Sequence, residues 1–457
     1  MNYSDLLAIS PIDGRYKQKT FMLKNIFSEY AFFKFRITIE IAWLQKLSLT
    51  SHITELPAFN AKINNMLNNI IKNLNYHDIK QIKLIEKKTN HDVKSIEYFL
   101  QKKIYVNLFN SHIINFIHFA CTSEDINNLA YAYMVKKTRC KILIPLWKQM
   151  TLKIKNISHL LKNINMLSRT HGQPATPTTM GKEMINFYYR LNRQLIQLQY
   201  ISILGKINGA TGNYNAHYAS YPTINWNKIS QEFILSFGIQ WNAYTTQIEP
   251  HDYLSELFSC IFRFNIILIN FSQDIWNYIA LNYFKQKKIN QEVGSSTMPH
   301  KINPINFENA EGNLGLSNAI IYYMNTKLPI SRYQRDLSDS TVLRNIGVVI
   351  SYAVIAYQSI LSGIKKISIN IKYMILDLNK QWQLLAEPIQ TIMRKYNISN
   401  AYEQLKLITR GKNVNIQNIH HYIDSLNIPL YEKKKLKKIT PTNYLGYSQY
   451  IIKNLCN

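Results

Sequence analysis

Residues 58–144 contain neither glycine nor proline, and residues 251–293 again contain neither. Sheet proteins need those two residues at their frequent turns, so stretches this long without them read as helix following helix. In the second stretch Leu254, Leu257, Phe258, Ile261 and Phe262 recur at three- and four-residue spacings, giving one apolar stripe that must find partner helices. A helix over that whole stretch would be about 65 Å long, too long to pack within one compact domain, which points to long bundles and an oligomer. Pro250 and Gly294 mark its start and its exit. The expected fold class is therefore all-α, in three helical regions: 1–111, a long-helix core over 112–365, and 366–457. No internal repeat or Gly/Ser linker separates them, so tight packing is expected.

The long stretch exits into Gly294-Ser295-Ser296-Thr297-Met298-Pro299-His300-Lys301-Ile302-Asn303-Pro304. Two prolines and a glycine forbid a continuous helix there, so residues 294–304 form a loop. It gathers adjacent hydroxyls, an imidazole, an amide and a cation. A loop of that kind can shift over a substrate and offer a proton acceptor, N–H donors and a positive charge to a developing anion.

Composition narrows the function classes. No run reaches the ~18 uninterrupted apolar residues of a membrane span, and Met1 to Asp5 does not open a signal peptide, so a soluble, cytoplasmic protein is expected. Cys121, Cys140, Cys260 and Cys456 lack metal-ligand spacing and are expected as free thiols. The net charge of +27 invites a nucleic-acid reading. Its lysines, however, are spread along the chain among abundant Asn and Ile, as an A/T-rich genome would encode, and the Glu432–Lys438 run reads as a solvated helix face.

Several shorter motifs interrupt the helical pattern. Ser10 to Tyr16 is a turn with an arginine and an aromatic beyond its glycine. Thr89 to Val93 holds a lone histidine. Thr122, Ser123 and Asp125 can cap a helix whose first N–H groups would hold an anion. His171, within Ser168 to Gly181, lies on an irregular stretch between helical segments, where an imidazole can give or take a proton. Gln247 can bond a small molecule through both amide ends. Arg332, Arg335 and Arg344 surround Ser338 to Thr341, a set suited to phosphate or carboxylate, with ion pairs to Asp336 and Asp339 as the simpler account.

The 294–304 loop resembles, without departure, the signature Gly-Ser-Ser-x-Met-Pro-x-Lys-x-Asn-Pro of the fumarase, aspartase and argininosuccinate lyase superfamily. Asp13-Gly14-Arg15-Tyr16, Asn90-His91-Asp92-Val93, Thr122-Ser123-Glu124-Asp125, Thr170-His171-Gly172-Gln173, Thr245-Thr246-Gln247 and Arg335-Asp336 to Arg344 are together similar to the adenylosuccinate lyase family in its longer bacterial form. The resemblance runs from about residue 8 to about residue 450. It implies an all-α homotetramer whose long core helices form one multi-subunit bundle, with each active site drawn from three subunits. It also implies β-elimination of fumarate from adenylosuccinate, giving AMP, and from the succinyl-aminoimidazole carboxamide ribotide of purine synthesis. Ser295 is then the base, His171 the acid to the leaving nitrogen, and Lys301 and Asn303 hold the charge-rich intermediate. Glu308 is expected to orient an imidazole. Substrate holding falls to Arg15, Tyr16, Asn90, His91, Asp92, Thr122, Ser123, Gln247, Ser296, Asn309, Arg335, Ser340, Thr341, Val342, Leu343 and Arg344. No metal or other cofactor is implied, and His118 and His217 are expected to be structural. The rivals are a sister lyase acting on argininosuccinate, aspartate or malate, and a basic helical scaffold that binds nucleic acid.

Overall fold

The computed structural model describes residues 6–108, 111–290 and 292–454. Met1 to Asp5 and Cys456, on which two of the expectations above fall, lie outside them. The described residues are mostly helical, with three short two-stranded sheets between helices. The glycine- and proline-free stretches are indeed helical, but asparagine punctuates them where glycine and proline do not. The Asn60 side chain accepts the Ile63 N–H at 3.0 Å and starts the Ala61–Lys72 helix. Asn75 accepts from His77 and Asp78, while the Asp78 carboxylate returns to the Asn75 N–H, closing both ends of a capping box. Asn90 then ends the Tyr76–Thr89 helix at φ 51°, a left-handed conformation that asparagine tolerates better than most residues.

The same device shortens the second stretch. Its helix runs Asp252–Ala280, about 44 Å, rather than to Gly294. Asn282, at φ 58°, turns the chain, and Tyr283 N–H closes back on the Tyr278 carbonyl at 2.8 Å. Phe284–Gln286 leaves as a strand and pairs antiparallel with Ile367–Ile369. By length and apolar content, Asp252–Ala280 and the stretch Ser338–Lys365 would suffice to cross a membrane, and most of each apolar surface is buried within the protein.

The chain divides into two compact units, neither continuous in sequence. The first comprises Met1–Trp147, Gln194–Ile266 and Ala310–Gln358. At its core Trp147 stacks on Phe264 with centroids 3.6 Å apart, and Tyr357 meets Phe264 edge-on. Such ring pairs contribute about 0.5–1.5 kcal/mol beyond the apolar area they bury. Asn265, fully buried beside them, accepts the Tyr357 hydroxyl at 2.6 Å and donates to Asn318 and Ser317 at 2.9 and 3.3 Å. The second unit comprises Lys148–Arg193, Ile267–Asn309 and Ser359–Asn457. Its C-terminal part packs Leu385, Ile389, Met393, Leu405, Ile419, Ile423 and Leu436 into one apolar cluster. The lysine run lies on the Leu430–Lys437 helix, where Glu432 is buried and pairs with Lys395 at 2.8 Å. Cys121, Cys140 and Cys260 are free thiols.

Candidate active site

His171 does not sit on irregular chain. It occupies the tip of an antiparallel hairpin, Asn165–Thr170 with Gln173–Thr179, in which Thr170 faces Gln173. His171 and Gly172 take φ 53° and 76°, the left-handed pair that a two-residue hairpin turn requires. The imidazole is thereby exposed to solvent at the turn. Two residues back, Arg169 donates to the Tyr283 hydroxyl and to Asp377 Oδ2, both at 2.8 Å, and Tyr283 also donates to that oxygen at 2.6 Å. Further along, Thr176 donates to Glu387 at 2.6 Å. The hairpin is thus braced close to its turn and along its second strand by residues that follow it by more than a hundred positions.

The 294–304 segment is a loop, as its prolines require. A Cβ on Gly294 would run into the Lys301 carbonyl, so the loop's neck closes only with glycine at that position. Asn303 donates to the Gly294 carbonyl at 3.3 Å and ties the same neck. Ser295 Oγ, half-buried, accepts the Met298 N–H at 3.1 Å, while Ser296, His300 and Lys301 are exposed. Past the loop, Glu308 accepts the Trp276 indole N–H at 3.0 Å, so within one chain its partner is an indole and not an imidazole. Asn309 accepts the Ser359 hydroxyl at 2.8 Å.

The remaining expected residues lie in the first unit, in two groups. In one, the Asp92 carboxylate lies 2.6 Å from Arg36 and 3.3 Å from Arg344, and Arg344 approaches Glu29 at 3.7 Å. Burial works against the Asp92 charge, but Arg36 and then Arg344 outweigh it and leave the carboxyl below its usual range. Exposed His91 accepts the Lys94 N–H through Nδ1 at 3.1 Å and so caps the helix beginning at Asp92; Asn90 precedes it, exposed. Arg15 is exposed, with its guanidinium 6.0 Å from the Tyr16 ring.

The other group gathers around the start of the Ser123–Thr138 helix. Asp125 Oδ2 accepts the Thr122 N–H at 2.9 Å, as expected of a cap. Asp125 also meets Lys206 at 2.8 Å, with both side chains fully buried, and accepts the Asn208 and Gly209 N–H groups at 3.1 Å. Its carboxylate is therefore committed to structure, while the neighbouring Thr122 and Ser123 are only partly buried. Gln247 donates to the Ala210 carbonyl at 3.0 Å. Arg335 pairs with Glu124 at 2.8 Å and more loosely with Asp339 at 3.7 Å, whereas Asp336 accepts the Arg332 and Ser338 N–H groups. Ser340 to Leu343 lie on the short Ser338–Leu343 helix; Val342 and Leu343 are buried, so only their main chain can meet a ligand. His118 is bonded to Glu40 at 2.7 Å, and His217 is fully buried.

Local sequence gave no warning of the Arg169, Tyr283 and Asp377 brace or of Arg36, since each partner is distant in the chain. Glu124 lies within Thr122-Ser123-Glu124-Asp125 and His251 opens the second glycine- and proline-free stretch, and the crowding of polar residues next to apolar helices was the available signal.

Residues 14–318 match a family described as lyase, and residues 331–445 one described as adenylosuccinate lyase C-terminal. An adenylosuccinate lyase of Buchnera aphidicola subsp. Baizongia pistaciae is 60% identical over 450 residues, covering 98% of this chain and 97% of the relative. An adenylosuccinate lyase of Escherichia coli K12 is 55% identical over 447 residues, covering 98% of each. Among solved structures, a fumarate lyase from Mesorhizobium sp. BNC1 superposes with a TM-score of 0.77 at 13% identity over 95% of this chain and 97% of its own. The 3-carboxy-cis,cis-muconate lactonizing enzyme of Pseudomonas putida gives 0.74 at 16% over 94% and 95%. At such identities these two likenesses concern the fold alone.

Proposed function

The chain belongs to the adenylosuccinate lyase family, and on that premise we propose how its residues carry the reaction. It is a carbon–nitrogen lyase of purine synthesis. Adenylosuccinate is cleaved to AMP and fumarate, and the succinyl-aminoimidazole carboxamide ribotide to its carboxamide and fumarate. Identity above half, over nearly the full length of both chains, is the observation that carries this reading. It favours neither a sister lyase nor a nucleic-acid scaffold.

In the elimination, a proton leaves the succinyl carbon beside a carboxylate, that carboxylate takes up the charge, the C–N bond breaks, and the purine-side nitrogen is protonated. We assign proton removal to Ser295. A hydroxyl is weakly basic, and in the loop conformation seen here its oxygen is engaged by the Met298 N–H. The loop must therefore rearrange over substrate, with Lys301 and Asn303 close enough to stabilise alkoxide and intermediate. His171 donates the proton to nitrogen from the hairpin tip. Arg15, Arg335 and Arg344 supply cations for a substrate that bears a phosphate and two carboxylates, and Asn90, His91, Thr122, Ser123 and Gln247 supply polar contacts.

Many of these groups stand in solvent in a single chain, His171 and Lys301 among them. Charge stabilisation of this kind needs a water-excluded site. We propose that other copies complete it, in a homotetramer with each site shared between subunits. Exposed Tyr189 and Tyr200, Trp276, and Leu316, Tyr322 and Tyr323 leave large apolar side chains uncovered on the long helices, which supports a multi-subunit bundle. Glu308 would then orient an imidazole from another copy. The sequence regions 1–111, 112–365 and 366–457 we take as helical domains of a cytoplasmic enzyme. The test is fumarate release by the purified chain from adenylosuccinate, argininosuccinate, aspartate and malate. Release from adenylosuccinate is expected; release only from another substrate would overturn the assignment.

A further inference from the structure

Within the first unit, His251 is buried at the entrance to the Asp252–Ala280 helix, at φ 67°. Three separate segments turn a carboxylate toward it. Asp339 Oδ2 lies 3.4 Å from Nε2, and Glu249 Oε2 lies 3.8 Å from Nδ1 while accepting the His251 backbone N–H at 2.8 Å. Glu124 completes the group, its oxygen within 4.8 Å of the His251 and Asp339 atoms. All three carboxylates are buried. Among the described residues one cation reaches the group, Arg335, at 2.8 Å from Glu124 and 3.7 Å from Asp339, while the neutral amide of Asn242 donates to the far oxygen of Glu249 at 3.0 Å. The second oxygen of Glu124 has no hydrogen-bond partner among the described residues. Asp252 and the buried Tyr253 phenol, next along the chain, add no positive charge.

Each carboxylate adjoins an expected substrate contact. Glu124 follows Ser123, Glu249 follows Gln247 by two residues, and Asp339 precedes Ser340. We propose that His251 is a positioning residue. By partly neutralising Asp339 and Glu124, it loosens their hold on the Arg335 guanidinium, so that a substrate anion can compete for it, and holds the three substrate-facing segments in one arrangement. Without it, the buried carboxylates of Glu124 and Asp339 would compete at full charge with substrate for one arginine. Burial opposes the charge on His251, but Asp339, Glu124 and Glu249 together raise its affinity for a proton above that of a free imidazole.

The inference rests on Arg335 facing substrate. If Arg335→Met leaves KM unchanged, that placement fails whatever His251 does. For His251 itself, the purified full-length enzyme is assayed with adenylosuccinate across pH. His251→Gln should raise KM about tenfold with a much smaller change in kcat, the size expected when one charged hydrogen-bonding partner is lost. The wild-type rise of KM on the alkaline side, as the imidazole loses its proton, should be absent from the variant. The double variant His251→Gln/Asp339→Asn removes the surplus negative charge and should return KM most of the way to wild type. A merely structural histidine predicts the opposite, a double variant worse than the single. An unchanged KM in His251→Gln, or a double variant without recovery, overturns the proposal. Should His251→Gln not fold, Asp339→Asn alone decides: it should flatten the alkaline rise, and a rise unchanged in position and size counts against the role.

Discussion

Replacing Arg169 with Met removes the clamp beneath the hairpin that carries His171 while keeping most of the side chain's length. Two charge-assisted hydrogen bonds are lost, both at 2.8 Å, to the Tyr283 hydroxyl and to Asp377. In buried sites such bonds contribute about 1.5–3 kcal/mol each. Here the Arg169 and Asp377 side chains are 25% and 19% exposed, so water screens the pair and replaces part of what is lost. Tyr283 still donates to Asp377 at 2.6 Å, which keeps that carboxylate partnered. A net loss of about 1–2 kcal/mol is the consistent figure, a factor of roughly 5–30 in the population of the braced hairpin. It should act locally, because the C-terminal apolar cluster does not depend on Arg169. Amide exchange at Met166 to Thr178 should quicken by that factor while Ile389, Met393 and Ile423 keep their protection. If His171 must meet the leaving nitrogen from a fixed arm, kcat should fall by a similar factor with KM little changed. Wild-type exchange across the hairpin would refute the clamp. Faster exchange with wild-type kcat would refute the requirement for a rigid arm.

Ser295→Ala and His171→Ala should each lower turnover by two orders of magnitude or more, on the scale of a lost general base or acid, with folding intact by circular dichroism; near-normal rates in either would remove that residue's role. Gly294→Ala should lower kcat and leave thermal stability almost unchanged, because the Cβ meets the Lys301 carbonyl in an exposed loop and not in a core. His217, whose ring nitrogens have no hydrogen-bond partner among the described residues, is ringed by Trp43, Tyr214 and Trp226, and burial pushes its pKa from 6.5 down to about 4. The unfolded chain therefore binds this proton first. The neutral ring's contribution is complete above pH 6.5 and is lost as the pH falls toward 4, a change of about 3 kcal/mol at most. His217→Phe should flatten the stability profile over that window in urea titrations.

The helical class and the signature loop were legible because they depend on residue types in fixed order. Chain breaks were less so. Glycine and proline are the usual punctuation, and in an asparagine-rich chain their absence suggested a helix running to Gly294. Asn282 ends it instead, because a short side-chain amide tolerates the left-handed turn. The hairpin under His171 was missed for a related reason. Its strands contain Pro174 and Pro177, which argue against a sheet interior, and the two-stranded ribbon accommodates them because it has no interior strand. Loop residues could be nominated individually, whereas the brace under the hairpin and the carboxylates around His251 arise only when distant segments fold together.

The amide of Asn265 has a consequence for how this protein finds its shape. Helices faced so uniformly with isoleucine and phenylalanine could slide past one another by a turn at small cost, since one greasy contact substitutes for the next. A slip would tear Asn265 from Asn318, Ser317 and Tyr357 and deprive the buried amides and phenol of these partners in a dry interior. It works as an indexing pin that keeps these rods aligned to a single notch however repetitive their apolar faces.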